Sequence, residues 1–442
     1  MNEKLDLFTG TLDYKNIRFT FVFDRKELRL IPPEHRKDYI EYTWIRKEIE
    51  PGAYTFAEPA YVEDDYLIGK CYETGCNIVF LPDKGKSLGF YNAVIRISLR
   101  AYVLCRYDRE CFDKMTFTGP EINYIHPAKQ GMSLNIAGDE AINRGTISVT
   151  TEDYSHTKTQ PQHFKVDGKD LSVHFDVFRT VSTRNDDAAL VLKSALVFEF
   201  EQTDDYLVAE RLWKIALKFI GFLCYRENIQ FTSIELSAPY PGGKHERYAE
   251  FHVFDECTPE PELLRDGRCI CQSLIAGYEG KILEDIAEDT LYLRHIPETY
   301  RAGKIINASR FVMITTAFEW EFRRLYPEGI EKSASTLKAE MTAEAELRGL
   351  EETAGGKLKR IYRHLSELVS SNPLSAEINH AARDLDPVIG VFGKHLYAVN
   401  GHELKYGEMG NRLGTQETIL LMAILIKNLT SWIFWILCIW NT

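Results

Sequence analysis

Apolar and polar residues alternate through Asn16-Ile-Arg-Phe-Thr-Phe-Val-Phe23 and again through Leu171-Ser-Val-His-Phe-Asp-Val-Phe178. A two-residue period puts one set of side chains on a core and the other in water, so both stretches predict strands. β-branched and aromatic runs at residues 77–81, 93–104, 146–150 and 195–200 add more strands. Pro82-Asp-Lys-Gly85 and Thr118-Gly-Pro120 punctuate them as turns. Many short strands broken in this way predict an antiparallel, sandwich-like module.

The period then changes. Leu212, Ile215, Phe219 and Leu223 recur at three- and four-residue steps and predict a helix near residues 206–227, with Asp204 or Asp205 as its cap. Strand-like residues 231–236 and 249–254 follow, joined by the loop Pro239-Tyr-Pro-Gly-Gly243. From about Lys281 the chain turns helical. Phe311, Ile314, Phe318, Phe322 and Leu325 mark one helix, with Ser309 as its cap and Pro327 and Gly329 at its end. Leu358, Ile361, Leu365 and Leu368 mark another after Gly355-Gly356. Pro373 opens a third, which Pro387 breaks. The expected fold class is therefore α+β, with a β-rich sandwich-like half over 1–280 and an all-α helical bundle over 281–416.

Residues 417–442 have a different texture. Ile419 to Ile426 is unbroken apolar, and three of the six Trp fall in the last eleven residues. The stretch Ile419 to Trp440 has about the length of a membrane-spanning helix. Lys427, Asn428, Thr430 and Ser431 interrupt it at the middle, where charge is costly. As a buried soluble helix it is apolar all round rather than on one stripe.

A shift of reading frame accounts for the tail differently. With each codon boundary moved one base upstream, Gln416-Glu417 permits Arg and Glu417-Thr418 permits Asn. The permitted string runs Arg-Asn-Asn-Phe-Ala-His-Gly-Asp-Ile-Asp-Lys-Glu. Several steps leave no choice: Met422-Ala423 gives Gly, Trp432-Ile433 and Trp435-Ile436 give Asp, Phe434-Trp435 gives Leu, and Trp440-Asn441 gives Glu. The shifted frame alternates acids and apolar residues at helical spacing, as a soluble amphipathic helix does.

Arg-Asn followed by His, with four residues between Arg and His, opening the last long helix of a helical domain, resembles the HEPN ribonucleases. In frame, Phe311-Val-Met-Ile-Thr-Thr-Ala-Phe-Glu-Trp-Glu-Phe-Arg-Arg-Leu-Tyr326, Gly356-Lys-Leu-Lys-Arg-Ile-Tyr-Arg-His-Leu365 and Tyr406-Gly-Glu-Met-Gly-Asn-Arg-Leu413 are similar to elements of the Apea-like branch of that superfamily. The resemblance implies an HEPN helical bundle and metal-independent RNA cleavage with no cofactor. It also implies a homo-oligomer, dimer or higher, in a cytoplasmic anti-phage toxin that acts by abortive infection. A phage-derived trigger would act through the β-rich half, and no membrane is involved. In the family His transfers a proton at the RNA 2′-hydroxyl and Arg holds the phosphate, roles that suit a near-neutral pKa and a rigid donor fork.

Here Gln416 and Glu417 stand at the Arg position, and Leu421 and Met422 at the His position. None of these can perform those roles, so this chain is expected to be catalytically inactive while its intact parent cleaves RNA. His395, His402, Arg412, Glu319 and Arg324 are the expected cleft-lining residues. Glu319, Glu321, Arg323 and Arg324 cluster on one helix, where pairing at i, i+3 and i+4 is the plain explanation. Arg247 to His252 repeats the Arg–His spacing on a strand, and Arg360 and His364 lie one helical turn apart on a solvated face. A noncatalytic sensor anchored to membrane by its apolar tail is the alternative, and a structural assembly module the third reading.

Composition narrows the field. The net charge of −12 opposes broad, sequence-independent nucleic-acid binding, leaving room for a local RNA site. Nine Cys without paired CxxC spacing predict reduced thiols and no zinc. MNEKLDLFTG lacks the apolar core of a signal peptide. Gly242-Gly243-Lys244 and Gly355-Gly356-Lys357 lack the full phosphate-loop spacing and read as turns.

Overall fold

The computed structural model describes residues 7–386 except 34–42, 92–93, 108–110, 136–142, 146–147, 185–187, 242–243, 255–268, 306 and 371–373. The described residues fall into two units, 7–224 with 228–288 and 225–227 with 289–386.

The first unit is built on strands β1 (Phe8–Tyr14), β2 (Ile17–Phe23), β3 (Glu27–Ile31), β4 (Trp44–Glu50), β5 (Ala53–Pro59), β6 (Leu67–Cys71), β7 (Asn77–Pro82), β8 (Gly89–Tyr91) and β9 (Val94–Cys105). These are followed by β10 (Phe112–Thr118), β11 (Met132–Asn135), β12 (Ser148–Thr151), β13 (Gln162–Val166), β14 (Lys169–Val181), β15 (Leu190–Thr203), β16 (Ser233–Tyr240) and β17 (Lys244–Val253). β4–β5 and β11–β12 are separate hairpins, and the remaining thirteen strands make one antiparallel sheet.

Six of those strands close on themselves. The order β9-β3-β2-β1-β6-β7 returns to β9, because β7 pairs β9 with Ile78 opposite Leu104 and Phe80 opposite Tyr102. The result is a closed antiparallel barrel, which leaves no unpaired edge among those strands. Alternation sends Phe19, Phe21, Phe23, Leu28, Leu30 and Phe80 into its interior, all fully buried. The rings meet edge to face: Phe23 lies 5.2 Å from Phe80 and 4.8 Å from Tyr102. β9 is long enough to serve two structures. It also pairs β17, the start of the open run β17-β16-β10-β15-β14-β13.

The long helix Tyr206–Cys224 lies against that open run. Leu212, Ile215, Phe219 and Leu223 are all buried, as the spacing predicts, and Phe219 packs 6.4 Å from Phe175 of β14. Asp205 caps it, its carboxylate accepting from the Leu207 N–H at 2.9 Å. The helix Glu279–Ala287 packs beside β13, where Gly280 allows close approach to the His163 carbonyl.

The second unit holds the helices Ala308–Leu325, Ala334–Thr353, Gly356–Ser370 and Leu374–Asp384. Phe318, Phe322 and Ala381 form its small core with Tyr326, Ile330, Leu374 and Ile378 around them. The middle two helices form a hairpin about Gly356, whose φ of +59° suits glycine, and Arg363 bonds Glu351 across it at 3.0 Å. Ala334–Thr353 buries none of its residues, and Leu358, Ile361, Leu365 and Leu368 are all exposed.

The expected β-sandwich followed by an all-α bundle is therefore corrected. The β-rich part is a closed six-stranded barrel with added strands, and its unit contains helices of its own. Among the described residues four of the eight α-helices precede residue 289, so helix and sheet are not segregated into halves. Alternation fixes which face of a strand is buried but not whether the sheet closes. Helical periodicity shows an apolar stripe but not what meets it.

Candidate functional site

The expected residues Glu319 and Arg324 belong to the helix Ala308–Leu325, whose placement follows from its sequence. Asn307 caps it, the side-chain oxygen accepting from the Arg310 N–H at 2.9 Å. This is two residues before the expected Ser309, which lies inside the first turn. Ile314, Ala317, Phe318, Glu321 and Phe322 make the buried stripe. Beyond Leu325 the Tyr326 N–H closes on the Phe322 carbonyl at 2.8 Å, and Gly329 turns the chain at φ +72°.

One member of the buried stripe is charged. Glu321 exposes none of its side chain, and its Oε2 accepts from Arg324 Nε at 2.7 Å. The buried carboxylate fixes one guanidinium at the rim of the core.

The opposite side of the helix carries an open hollow of about 550 Å³, lined by Asp289, Thr290, Thr316, Glu319, Trp320, Arg323 and Arg324. Trp320 is 52% exposed. It is held by its indole N–H, which donates to the Thr290 carbonyl at 3.3 Å, and by Tyr292, whose ring lies 6.2 Å away. Arg323 stands 78% exposed with its nearest carboxylate, Glu319, at 4.0 Å. The hollow thus presents an anchored aromatic ring beside one guanidinium paired with a buried carboxylate and one exposed guanidinium.

Acidic residues balance these cations. Burial, with the like charge of Glu319 added, pushes the Glu377 carboxyl above its ordinary range, and Arg323 offsets part of that. Nearby, His380 packs edge-on to Tyr326 at 4.9 Å, and the Tyr326 hydroxyl donates to Asp384 at 2.6 Å. The arrangement can bind an anion and stack a planar ring. It places no histidine in the lining of the hollow.

The expectations met the structure unevenly. Glu319 and Arg324 both line the hollow. His395, His402, Arg412, Gln416, Glu417, Leu421 and Met422 lie outside the described residues. His364 sits on an exposed face 3.8 Å from Glu367. Trp320, which also lines the hollow, was not singled out by the sequence reading. Its signal was present, since Thr316, Trp320, Arg323 and Arg324 fall at helical steps off the apolar stripe.

The Arg247 to His252 spacing does lie on a strand, β17, and its ends meet through Glu250. Arg247 is 2.7 Å, Arg106 2.6 Å and His252 3.4 Å from that carboxylate. The contact with His252, together with the two guanidiniums, outweighs burial and holds the Glu250 carboxyl at about 2. Arg247 also pairs with Glu235 at 3.0 Å, so its charge is already committed within the sheet.

Among the described residues no group of three or more His, Cys, Asp or Glu could hold a metal ion. Nor is any described helix long and apolar enough to cross a membrane. Comparison with known protein families, curated proteins and solved structures finds no match.

Proposed function

We propose that this chain engages single-stranded RNA through the hollow on the helix Ala308–Leu325, as a cleavage-incompetent form of an HEPN-class ribonuclease of anti-phage defence. The observation that carries the reading is the exposed, anchored Trp320 beside Arg323 and Arg324. Bases stack on an indole whatever their identity, and guanidiniums suit phosphate geometry. The site is local, which fits a net charge of −12 that rules out a broad electrostatic footprint. The hollow lies on the segment whose sequence is similar to the family's first core helix. Cleavage is absent from this chain because Gln416, Glu417, Leu421 and Met422 supply neither a guanidinium nor a proton-transfer group at the signature.

The test uses the purified chain and a frame-restored partner. The chain as written binds a fluorescent single-stranded RNA and leaves it intact. The version carrying Arg-Asn and His at the signature cleaves the same RNA in the presence of EDTA. An intact RNA with the restored version ends the nuclease reading, and absent binding by both ends the role of the hollow.

A further inference from the structure

The helix Tyr206–Cys224 ends on a thiol that faces a second thiol. The Sγ of Cys224 lies 3.4 Å from the Sγ of Cys269. The backbone supports that approach, since the Ile270 N–H donates to the Leu223 carbonyl at 2.9 Å. The residues flanking the two cysteines are therefore already tied side by side. Cys224 is buried and Cys269 partly exposed. Other thiols face oxygen instead: Cys71 the Glu73 carboxylate at 3.0 Å, Cys76 the Arg106 carbonyl at 3.1 Å, and Cys105 the Tyr248 hydroxyl at 3.4 Å.

We propose that Cys224 and Cys269 are an oxidative modification site that closes to a reversible disulfide when the chain meets a hydroperoxide. A disulfide needs its sulfurs about 2.05 Å apart. The thiols are already in contact, so side-chain rotation supplies the remaining approach while the backbone bond at Ile270 stays in place. The proposal is independent of the RNA reading, because neither cysteine lines the hollow.

The chemistry balances. Cys269, the more open thiol, attacks one peroxide oxygen as its thiolate. An S–O bond forms, the O–O bond breaks, and the departing hydroxide or alkoxide takes up a proton. The Cys224 sulfur then attacks the sulfenic sulfur. The S–S bond forms, the S–O bond breaks, and the leaving hydroxide departs as water with the Cys224 proton. The two thiols lose two electrons and the peroxide gains them. A reducing thiol reverses the bond by exchange.

The bond would staple the end of the long helix to the segment that leads into Glu279–Ala287. Gln272, in that segment, already donates to Glu279 at 2.8 Å. Oxidation thus joins two covering helices of one sheet through a covalent tie.

The full chain is treated with hydrogen peroxide, alkylated and digested with trypsin. The expected product links the peptide carrying Cys224 to the peptide carrying Cys269 and Cys271, and dithiothreitol releases it. Cys271→Ser keeps the link and Cys269→Ser abolishes it, while both variants melt like the parent when reduced. In the parent, oxidation raises the melting midpoint by about 5 °C, as closing a long loop does. A link retained in Cys269→Ser, a Cys269–Cys271 product alone, or peptides that emerge with both thiols free would each overturn the proposal.

Discussion

The carboxylate of Glu321 is wholly buried and lies 2.7 Å from the guanidinium Nε of Arg324, one helical turn further on. The pair joins the core of the helix Ala308–Leu325 to the rim of its hollow. A buried ion pair adds little by itself, but removing one partner leaves a charge without compensation. Glu321→Ala should destabilise the second unit by about 3 kcal/mol, since Arg324 keeps some access to water that relieves part of the loss. Glu321→Gln should lose less. Chemical denaturation followed by tryptophan fluorescence measures both, and equal losses would show that the charge is not what matters.

Trp320 is expected to carry base stacking and Arg323 the phosphate. Stacking on one aromatic contributes about 1–3 kcal/mol per base. Trp320→Ala should therefore weaken single-stranded RNA binding about tenfold or more while leaving the fold intact, because the indole is half exposed. Arg323→Glu should also weaken binding and flatten its dependence on salt. Titration at two salt concentrations separates the two. Unchanged affinity in both variants would remove the hollow as an RNA site.

Much of the first unit was readable because strands such as β2 and β6 keep one wet face, although β7 and β10 are buried on both. The alternation at residues 17–23 gives a strand with Phe19, Phe21 and Phe23 inside, and the three- and four-residue steps at Leu212, Ile215, Phe219 and Leu223 give a helix with all four buried. The cap was narrowed to Asp204 or Asp205, and Asp205 fills it. Closure was not readable, because it depends on Ile78 meeting Leu104, a pairing that leaves no local trace. The stripe Leu358, Ile361, Leu365 and Leu368 was visible, yet it is exposed, since amphipathicity names a face and not its cover. On the helix Ala308–Leu325, the charges Glu319, Glu321, Arg323 and Arg324 stood out in the sequence, with intrahelical pairing as their plain explanation. Trp320 escaped because its placement depends on a bond to Thr290, thirty residues earlier.

Acid should destabilise the second unit through His295. The residue is 2% exposed, and its Nδ1–H donates to the Tyr292 carbonyl at 2.9 Å. Burial, with Arg310 adding to it, pulls its pKa from 6.5 to about 4 against the opposing pull of that hydrogen bond. The unfolded chain binds a proton near pH 6.5 and the folded chain does not, so the folded state is favoured in full above that pH. The advantage is lost as pH falls from 6.5 towards 4 and amounts to about 3 kcal/mol across the range. Thermal melts from pH 7.5 to pH 4.5 should show the fall, and His295→Leu should flatten it.

Gly10 of β1 is where the pairing with β6 leaves no room for a side chain. A Cβ there would run into the Lys70 carbonyl oxygen of β6 and the ring of Phe21. Gly69, on β6, faces the same ring, with a would-be Cβ 2.7 Å from the Phe21 Cε1. The two obstacles differ in kind. At Gly69 the nearest neighbour is a side chain, which a smaller residue removes. At Gly10 it is backbone, held by the pairing of Gly10 with Cys71 and Leu12 with Gly69. Overpacking a core costs about 1–3 kcal/mol, and more where the backbone must give way. Gly10→Ala should therefore lower stability by about 3 kcal/mol or more, and Phe21→Leu should not rescue it. Gly69→Ala should cost less and should be partly rescued by Phe21→Leu, a coupling that a double-mutant cycle measures directly. Equal rescue at both positions would mean that the ring, not the β1–β6 pairing, sets the limit.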